Sequence, residues 1–105
     1  MSKIGMVRVE GNSMAPTYGN GDWLLVLWMQ QSPHRGQLGS IAVIEREGQP
    51  GILLIKRIQK SHGGNYWVEG DNIESTDSRS WGWITPNEIV GRVLFRVRKG
   101  RSINA

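Results

Sequence analysis

Apolar and polar positions alternate along this chain in short runs, and glycine or proline interrupts the runs before a helical period can build up. Met6 to Val9 reads as a short strand. Trp23 to Met29 is apolar at every position, which predicts a strand buried on both faces. Ser40 to Glu45 is a third strand, and the turn Glu47-Gly48-Gln49-Pro50-Gly51 leads into a fourth from Ile52 to Gln59. Ser61-His62-Gly63-Gly64-Asn65 reads as a hairpin turn into Tyr66 to Glu69. A final strand, Glu88 to Arg98, has Ile89, Val93, Phe95 and Val97 as its apolar members. Three stretches fall outside the pattern. Gly11 to Asp22 is turn-rich, because Pro16 and its glycines forbid a continuous helix or a central strand. Gln30 to Gly39 is a loop carrying Pro33 and Gly36, and Gly70 to Trp83 is dense in Asp, Asn, Ser and Thr without any period. The expected fold is all-β: one domain of about six strands forming a bent sheet or partial barrel.

Composition narrows the chemistry. A chain of 105 residues is one domain with a modest core. It has no cysteine, which removes disulfides, thiolate metal sites and cysteine nucleophiles. The two histidines, His34 and His62, sit in polar turns that no helix brings together, so neither a metal nor a cofactor is expected. The formal charge of +4 is concentrated late, at Arg92, Arg96, Arg98, Lys99 and Arg101, and reads as a solvated basic tail over 98–105. The longest apolar run is far shorter than the roughly 20 residues of a membrane helix, and Met1 to Met6 does not resemble a signal peptide. These features predict a cytoplasmic protein with no membrane segment, membrane-associated only through an anchor outside this sequence.

Chemistry concentrates in three stretches. Ser13 lies in the turn-rich segment 9–22, and a serine hydroxyl needs a neighbouring base to become a nucleophile. Lys56 lies in the strand 52–59, where alternation puts it on one face with Ile52, Leu54 and Ile58, while Arg57 points the other way. A lysine in an apolar row either snorkels to the surface or sits in a dry site. In a dry site desolvation disfavours the ammonium and makes the amine available as a base near neutral pH. The loop 70–82 supplies acceptors that freeze turns, and its Asp77 and Arg79 can form a charge-assisted pair.

Together these stretches resemble the type I signal peptidase family of serine-lysine proteases. Ser13-Met14-Ala15-Pro16-Thr17 matches the nucleophile box, and Gly21-Asp22 before an apolar strand matches the second box. Lys56-Arg57-Ile58 matches the box of the general base. Gly70-Asp71-Asn72, then Ser75-Thr76-Asp77-Ser78-Arg79 and Gly82, matches the last. The resemblance implies an all-β fold with Ser13 as nucleophile and Lys56 as general base. It implies that Ser75 holds the lysine amine, and that Gly11, Met14 and Ser75 support the dyad and the oxyanion site. The Ser13 N–H would donate to the oxyanion. Asp77 and Arg79 would brace the floor, with Asp71 and Asn72 supporting the turn. The substrate would be a protein precursor bound as an extended strand near its N-terminus. Gly11 stands where many signal peptidases carry a second oxyanion serine, and the last box is one residue short between Asn72 and Ser75. A short chain without an anchor looks most like the proteases that mature nickel superoxide dismutase.

Other readings predict other behaviour. The chain could be the catalytic domain of a signal peptidase I whose anchor is absent. A basic β-barrel that binds nucleic acid through Trp23, Trp28, Trp67, Trp81 and Trp83 would show steep salt dependence. Most of these tryptophans lie in apolar runs, so nucleic acid is not the expected partner. A self-cleaving regulatory domain would need an internal Ala-Gly site, which is absent.

Overall fold

The computed structural model describes residues 3–29 and 37–100. Six strands form one antiparallel sheet: β1 (Lys3–Arg8), β2 (Trp23–Trp28), β3 (Ile41–Glu45), β4 (Leu53–His62), β5 (Asn65–Glu69) and β6 (Ile89–Arg98), in the spatial order β1-β2-β6-β3-β4-β5. The all-β expectation holds. The His34 loop through residue 36, and the tail beyond Gly100, lie outside the described residues.

Two apolar clusters cover opposite faces of the sheet at different places along it. β3 is buried on both sides, because alternation sends Ile41 and Val43 into the first cluster and Ala42 and Ile44 into the second. The first cluster takes Leu24 and Val26 of β2 and is capped by Val9 and Met14 from the segment around Ser13. The second takes Ile58, Tyr66 and Val68 and is capped by Ile84 and Ile89. The first cluster is therefore closed by the segment around Ser13 and the second by Ile84 and the start of β6, with Lys56 of β4 facing the second.

Several elements differ from the sequence reading. β2 is not buried on both faces: Leu24 and Val26 are buried, whereas Trp23, Leu25 and Leu27 are half-exposed. Only the face under the segment 9–22 is covered, and an apolar run cannot by itself reveal a missing cover. β4 runs on to His62, since the hairpin turn is Gly63-Gly64 alone, with φ of 58° and 85°. Positive φ at both central residues suits the twist of the flanking strands. The segment 70–83 contains a one-turn helix, α1 (Ser78–Trp81), whose N-cap Asp77 accepts from the Arg79 amide. A second short turn, Pro86–Glu88, precedes β6 and carries a Thr85/Glu88 capping box. Arg98 belongs to β6 rather than to a frayed tail, and the Gly100 amide donates to Asp22 at 2.6 Å.

Candidate active site

Ser13 is held from both sides. Met14, fully buried in the first cluster, anchors the turn after it. Before it, Gly11 turns the chain with φ 82°, in the left-handed region that favours glycine, and its N–H donates to Asn20 Oδ1 at 2.8 Å. Across the site, the Asn72 amide donates to the Ser13 carbonyl and the Asn72 side chain to the Asn12 carbonyl, each at 2.9 Å. The loop 70–82 thus holds the serine turn by its backbone. Ser13 Oγ and the Ser13 N–H have no hydrogen-bond partner among the described residues.

Two clefts meet at this serine. One of about 200 Å3 runs between Val7–Glu10 and Leu53–Ile55, with Ser13 and Met14 in its floor. The other, of about 290 Å3, lies between Asn12–Ser13 and residues of the 72–76 loop. Ser13 is the one residue that lines both. Along the first cleft β4 has a free edge, since its pairing with β5 begins only at Arg57. β1 is the outer strand of the sheet; Val9 beyond it donates its N–H to the Asp22 carbonyl and accepts from the Gly21 amide, each at 2.8 Å, so the open edge is the one turned away from β2. An extended peptide laid in this gap would meet unpaired backbone on both sides.

Lys56 is 3% exposed and lies in the row between Leu54 and Ile58 that faces the second cluster, as the strand phase predicts. Its backbone pairs with Ala42 of β3, whereas its amine makes no hydrogen bond to a described residue and so keeps a small contact with solvent. Burial pushes its ammonium below the ordinary lysine range; the Asp77 carboxylate opposes that shift and the Arg79 guanidinium adds to it. Lys56 itself lines neither cleft, whereas Leu53, Leu54 and Ile55 line the first.

Asp77 is the hub of the loop. Its fully buried carboxylate accepts from Arg79 Nε at 2.9 Å, Arg79 Nη2 at 2.7 Å, the Gly70 amide at 2.7 Å and the Ser75 hydroxyl. Burial alone would raise its pKa, but the bonds from Arg79, Ser75 and Gly70 outweigh it and hold the carboxyl well below the usual range. The expected bond from Ser75 to the lysine amine is not formed. Ser75 Oγ donates to Asp77 and accepts from Gly70 N and Arg79 Nη2, each at 3.2 Å, which occupies the hydroxyl. Gly11 likewise offers no free oxyanion donor, because Asn20 takes its N–H.

Asp71 does more than shape a turn. Arg57 grips it with a two-bond fork, Nε to Oδ1 at 2.9 Å and Nη2 to Oδ2 at 2.8 Å, and Thr17 Oγ1 donates to it at 2.6 Å. The Arg57 bonds lead in lowering its pKa against burial. Arg57 and Thr17 were not singled out from the sequence. The signal was present in the strand phase, which sends Arg57 away from Lys56 and leaves it to find a carboxylate on the other side.

Gly70 sits where these parts converge. A β-carbon there would overlap both the Ser13 carbonyl and Ser75 Oγ. Gly70→Ala should therefore displace the serine turn and lower kcat/KM about 100-fold, the usual cost of an ångström-scale misplacement. Peptide cleavage kinetics with a circular-dichroism check of the fold will test this.

The chain matches the Peptidase S24-like family over residues 1–94. It is 31% identical to human mitochondrial inner membrane protease subunit 1, over 89% of this chain and 69% of that protein. It is 32% identical to the Xenopus tropicalis counterpart, over 90% of this chain and 70% of the relative. The mouse counterpart is 29% identical over 89% and 69%. These relatives overturn the cytoplasmic placement expected from the sequence, because they are subunits of an inner membrane protease and point to membrane association. No helix among the described residues is long and apolar enough to cross a membrane. The serine turn, the apolar-faced lysine strand and the match across most of the chain lead to one assignment: this protein belongs to the Peptidase S24-like family, as a signal-peptidase-like protease.

Proposed function

We propose that Ser13 and Lys56 form the dyad of a serine endopeptidase that removes an N-terminal leader from a protein precursor at a membrane surface. The observation that carries this reading is Lys56: a residue only 3% exposed, whose amine has no hydrogen-bond partner among the described residues and therefore keeps its contact with solvent, in an apolar row whose neighbour Leu54 walls the cleft at Ser13. Such a group is costly to the fold and has the chemistry of a general base. The precursor lies extended along the first cleft, paired with the free edge of β4, and its leaving segment exits over the second.

Lys56 Nζ takes the proton of Ser13 Oγ as the oxygen attacks the scissile carbonyl carbon. The Ser13 N–H stabilises the oxyanion. Collapse breaks the C–N bond, Lys56 returns the proton to the departing amine, and the acyl group stays on Ser13 as an ester. Water, activated by the same amine, then frees the acid and restores the serine. A short movement closes the dyad when substrate seats, as catalytic hydrogen bonds commonly tighten in the substrate complex. Asp77, Arg79 and Asn72 hold the loop beside the dyad, and Asp71 with Arg57 ties that loop to β4.

Membrane association rests on the relatives, which are subunits of a mitochondrial inner membrane protease. The narrower substrate, the precursor of nickel superoxide dismutase, rests on the sequence resemblance alone. The test is cleavage of a precursor library, with the new N-termini read by mass spectrometry. Wild type should cut at defined sites and Ser13→Ala should lose at least about 1,000-fold in rate with an unchanged fold. Retained cutting by Ser13→Ala removes the serine from the mechanism.

A further inference from the structure

The loop 70–82 holds three acids, Asp71, Glu74 and Asp77, and one base, Arg79. Two of the acids are answered. Arg57 of β4 reaches across to Asp71 with a fork of two bonds, and Arg79 takes Asp77 with another. Glu74 is left over. Its backbone N–H donates to Asn72 Oδ1 at 2.9 Å, but its exposed carboxylate meets no cation and accepts no hydrogen bond among the described residues. Lys and Arg outnumber Asp and Glu thirteen to nine in this chain, so a partner for Glu74 was not lacking in the composition.

The place of this acid gives its charge a use. Glu74 and Ser13 line the same cleft, the one of about 290 Å3 over which the leaving segment exits, and Glu74 is its one charged lining residue. Asn72 fixes the spacing between the two. Its backbone N–H and side-chain amide hold the carbonyls of Ser13 and Asn12, while its Oδ1 and carbonyl accept from the amides of Glu74 and Ser75. Arg79 also touches this rim, through Ser75 Oγ and the Asn72 carbonyl at 3.2 Å each, and its charge is answered by Asp77. The first cleft differs. Its walls are largely apolar, and the two charged residues there, Arg8 and Glu10, are of opposite sign. The two halves of a bound peptide therefore face different fields, one near neutral and one acidic.

We propose that Glu74 selects the substrate: it favours a lysine or arginine within the first two residues after the scissile bond, with the side-chain cation set against its carboxylate. The assignment rests on the path of the leaving segment proposed above and adds a charge preference to it. Side chains of an extended peptide alternate, so one of those two residues faces the acid. A metal ion is the weaker occupant, since no group of three acids or histidines that could hold one occurs among the described residues. A peptide cation needs only the one carboxylate, and a charge-assisted bond to it discriminates against an acidic residue at the same place.

The test is cleavage of a randomised peptide library at low conversion, with the new N-termini read by mass spectrometry, so that product frequencies report ratios of kcat/KM. Wild type should enrich Lys and Arg about fivefold over Gln at the first two positions after the cut, and deplete Asp and Glu about as much, the size of one pair at an exposed site. The enrichment should shrink toward one in about 1 M salt. Glu74→Gln should level the three classes and Glu74→Lys should invert them. Frequencies are compared within each enzyme, so a change in overall rate does not enter. Positions before the cut should show no preference for either sign. A second arm is independent of the chemistry: Ser13→Ala protein is immobilised and the peptides it retains from the same library are sequenced. The excess of Lys and Arg should appear there too, and adding Glu74→Lys should remove it. Even frequencies after the cut in wild type overturn the proposal, as does a preference that Glu74→Lys leaves in place or one confined to residues before the cut. If no peptide is cut, retention decides: an excess that Glu74→Lys removes sinks the Ser13 chemistry and sustains Glu74, and no excess overturns both.

Discussion

Lys56→Met is expected to abolish cleavage, by about 1,000-fold or more, while making the protein more stable. The two effects have one cause. Lys56 is 3% exposed and lies in an apolar row, and its amine, left with only a sliver of solvent contact, has no hydrogen bond to a described residue that would offset its partial desolvation. Methionine fills nearly the same volume and removes the partly desolvated amine, so stability should rise by about 1 kcal/mol, the gain typical of relieving a functional compromise. The sign against pH agrees. A lysine whose folded pKa is lowered binds fewer protons folded than unfolded, so its native state loses stability as pH falls from the unfolded lysine pKa through the folded one. The methionine variant should lack that loss. Chemical denaturation of both proteins across neutral and alkaline pH, beside peptide cleavage rates, measures both halves. A purely structural lysine would give the opposite result for stability.

Asp77→Ala is expected to cost about 3 kcal/mol or more. Truncation leaves the Gly70 N–H and the Ser75 hydroxyl without their acceptor, and Arg79 without its carboxylate. Urea denaturation reads this directly. The carboxyl is held below its unfolded value of 3.8, so its contribution is fully present above that pH and is lost as the pH falls through the folded value. Wild-type stability should accordingly fall in the acid range, and the alanine variant should lack that component of the fall. Asp77→Asn separates structure from electrostatics. It keeps the shape while removing the negative charge that favours protonated Lys56, so the alkaline rise of activity should move to lower pH.

The strands were legible because alternation and turn residues are local properties. The all-β sheet, the glycine hairpin turn and the phase of Lys56 all follow from spacings within a few residues. Burial across the sheet was not legible. The run Trp23 to Trp28 is apolar throughout, yet one of its faces has only partial cover, because cover depends on where a distant connection lies. The site shows the same division. Ser13, Lys56, the loop 70–82 and its Asp77–Arg79 pair could be picked out as carriers of chemistry, but the partners of Ser75 and Arg57 could not. Ser75 bonds to Asp77 rather than to the amine, and Arg57 reaches across to Asp71 and the Gly39 carbonyl. The Arg57 contacts join three separate segments and no short window of sequence contains them, whereas Ser75 had two acceptors within reach in principle, the amine and Asp77, and its choice of Asp77 is set by the fold.

The pH dependence of kcat/KM for peptide cleavage tests the central claim most directly. If Lys56 is the desolvated base of Ser13, activity rises with pH along a limb whose midpoint lies clearly below the free lysine value of about 10.4. Asp77→Asn should shift that midpoint further down. A profile that stays flat through neutral pH and climbs only near the free lysine value would contradict it, and so would a low midpoint that Asp77→Asn leaves in place.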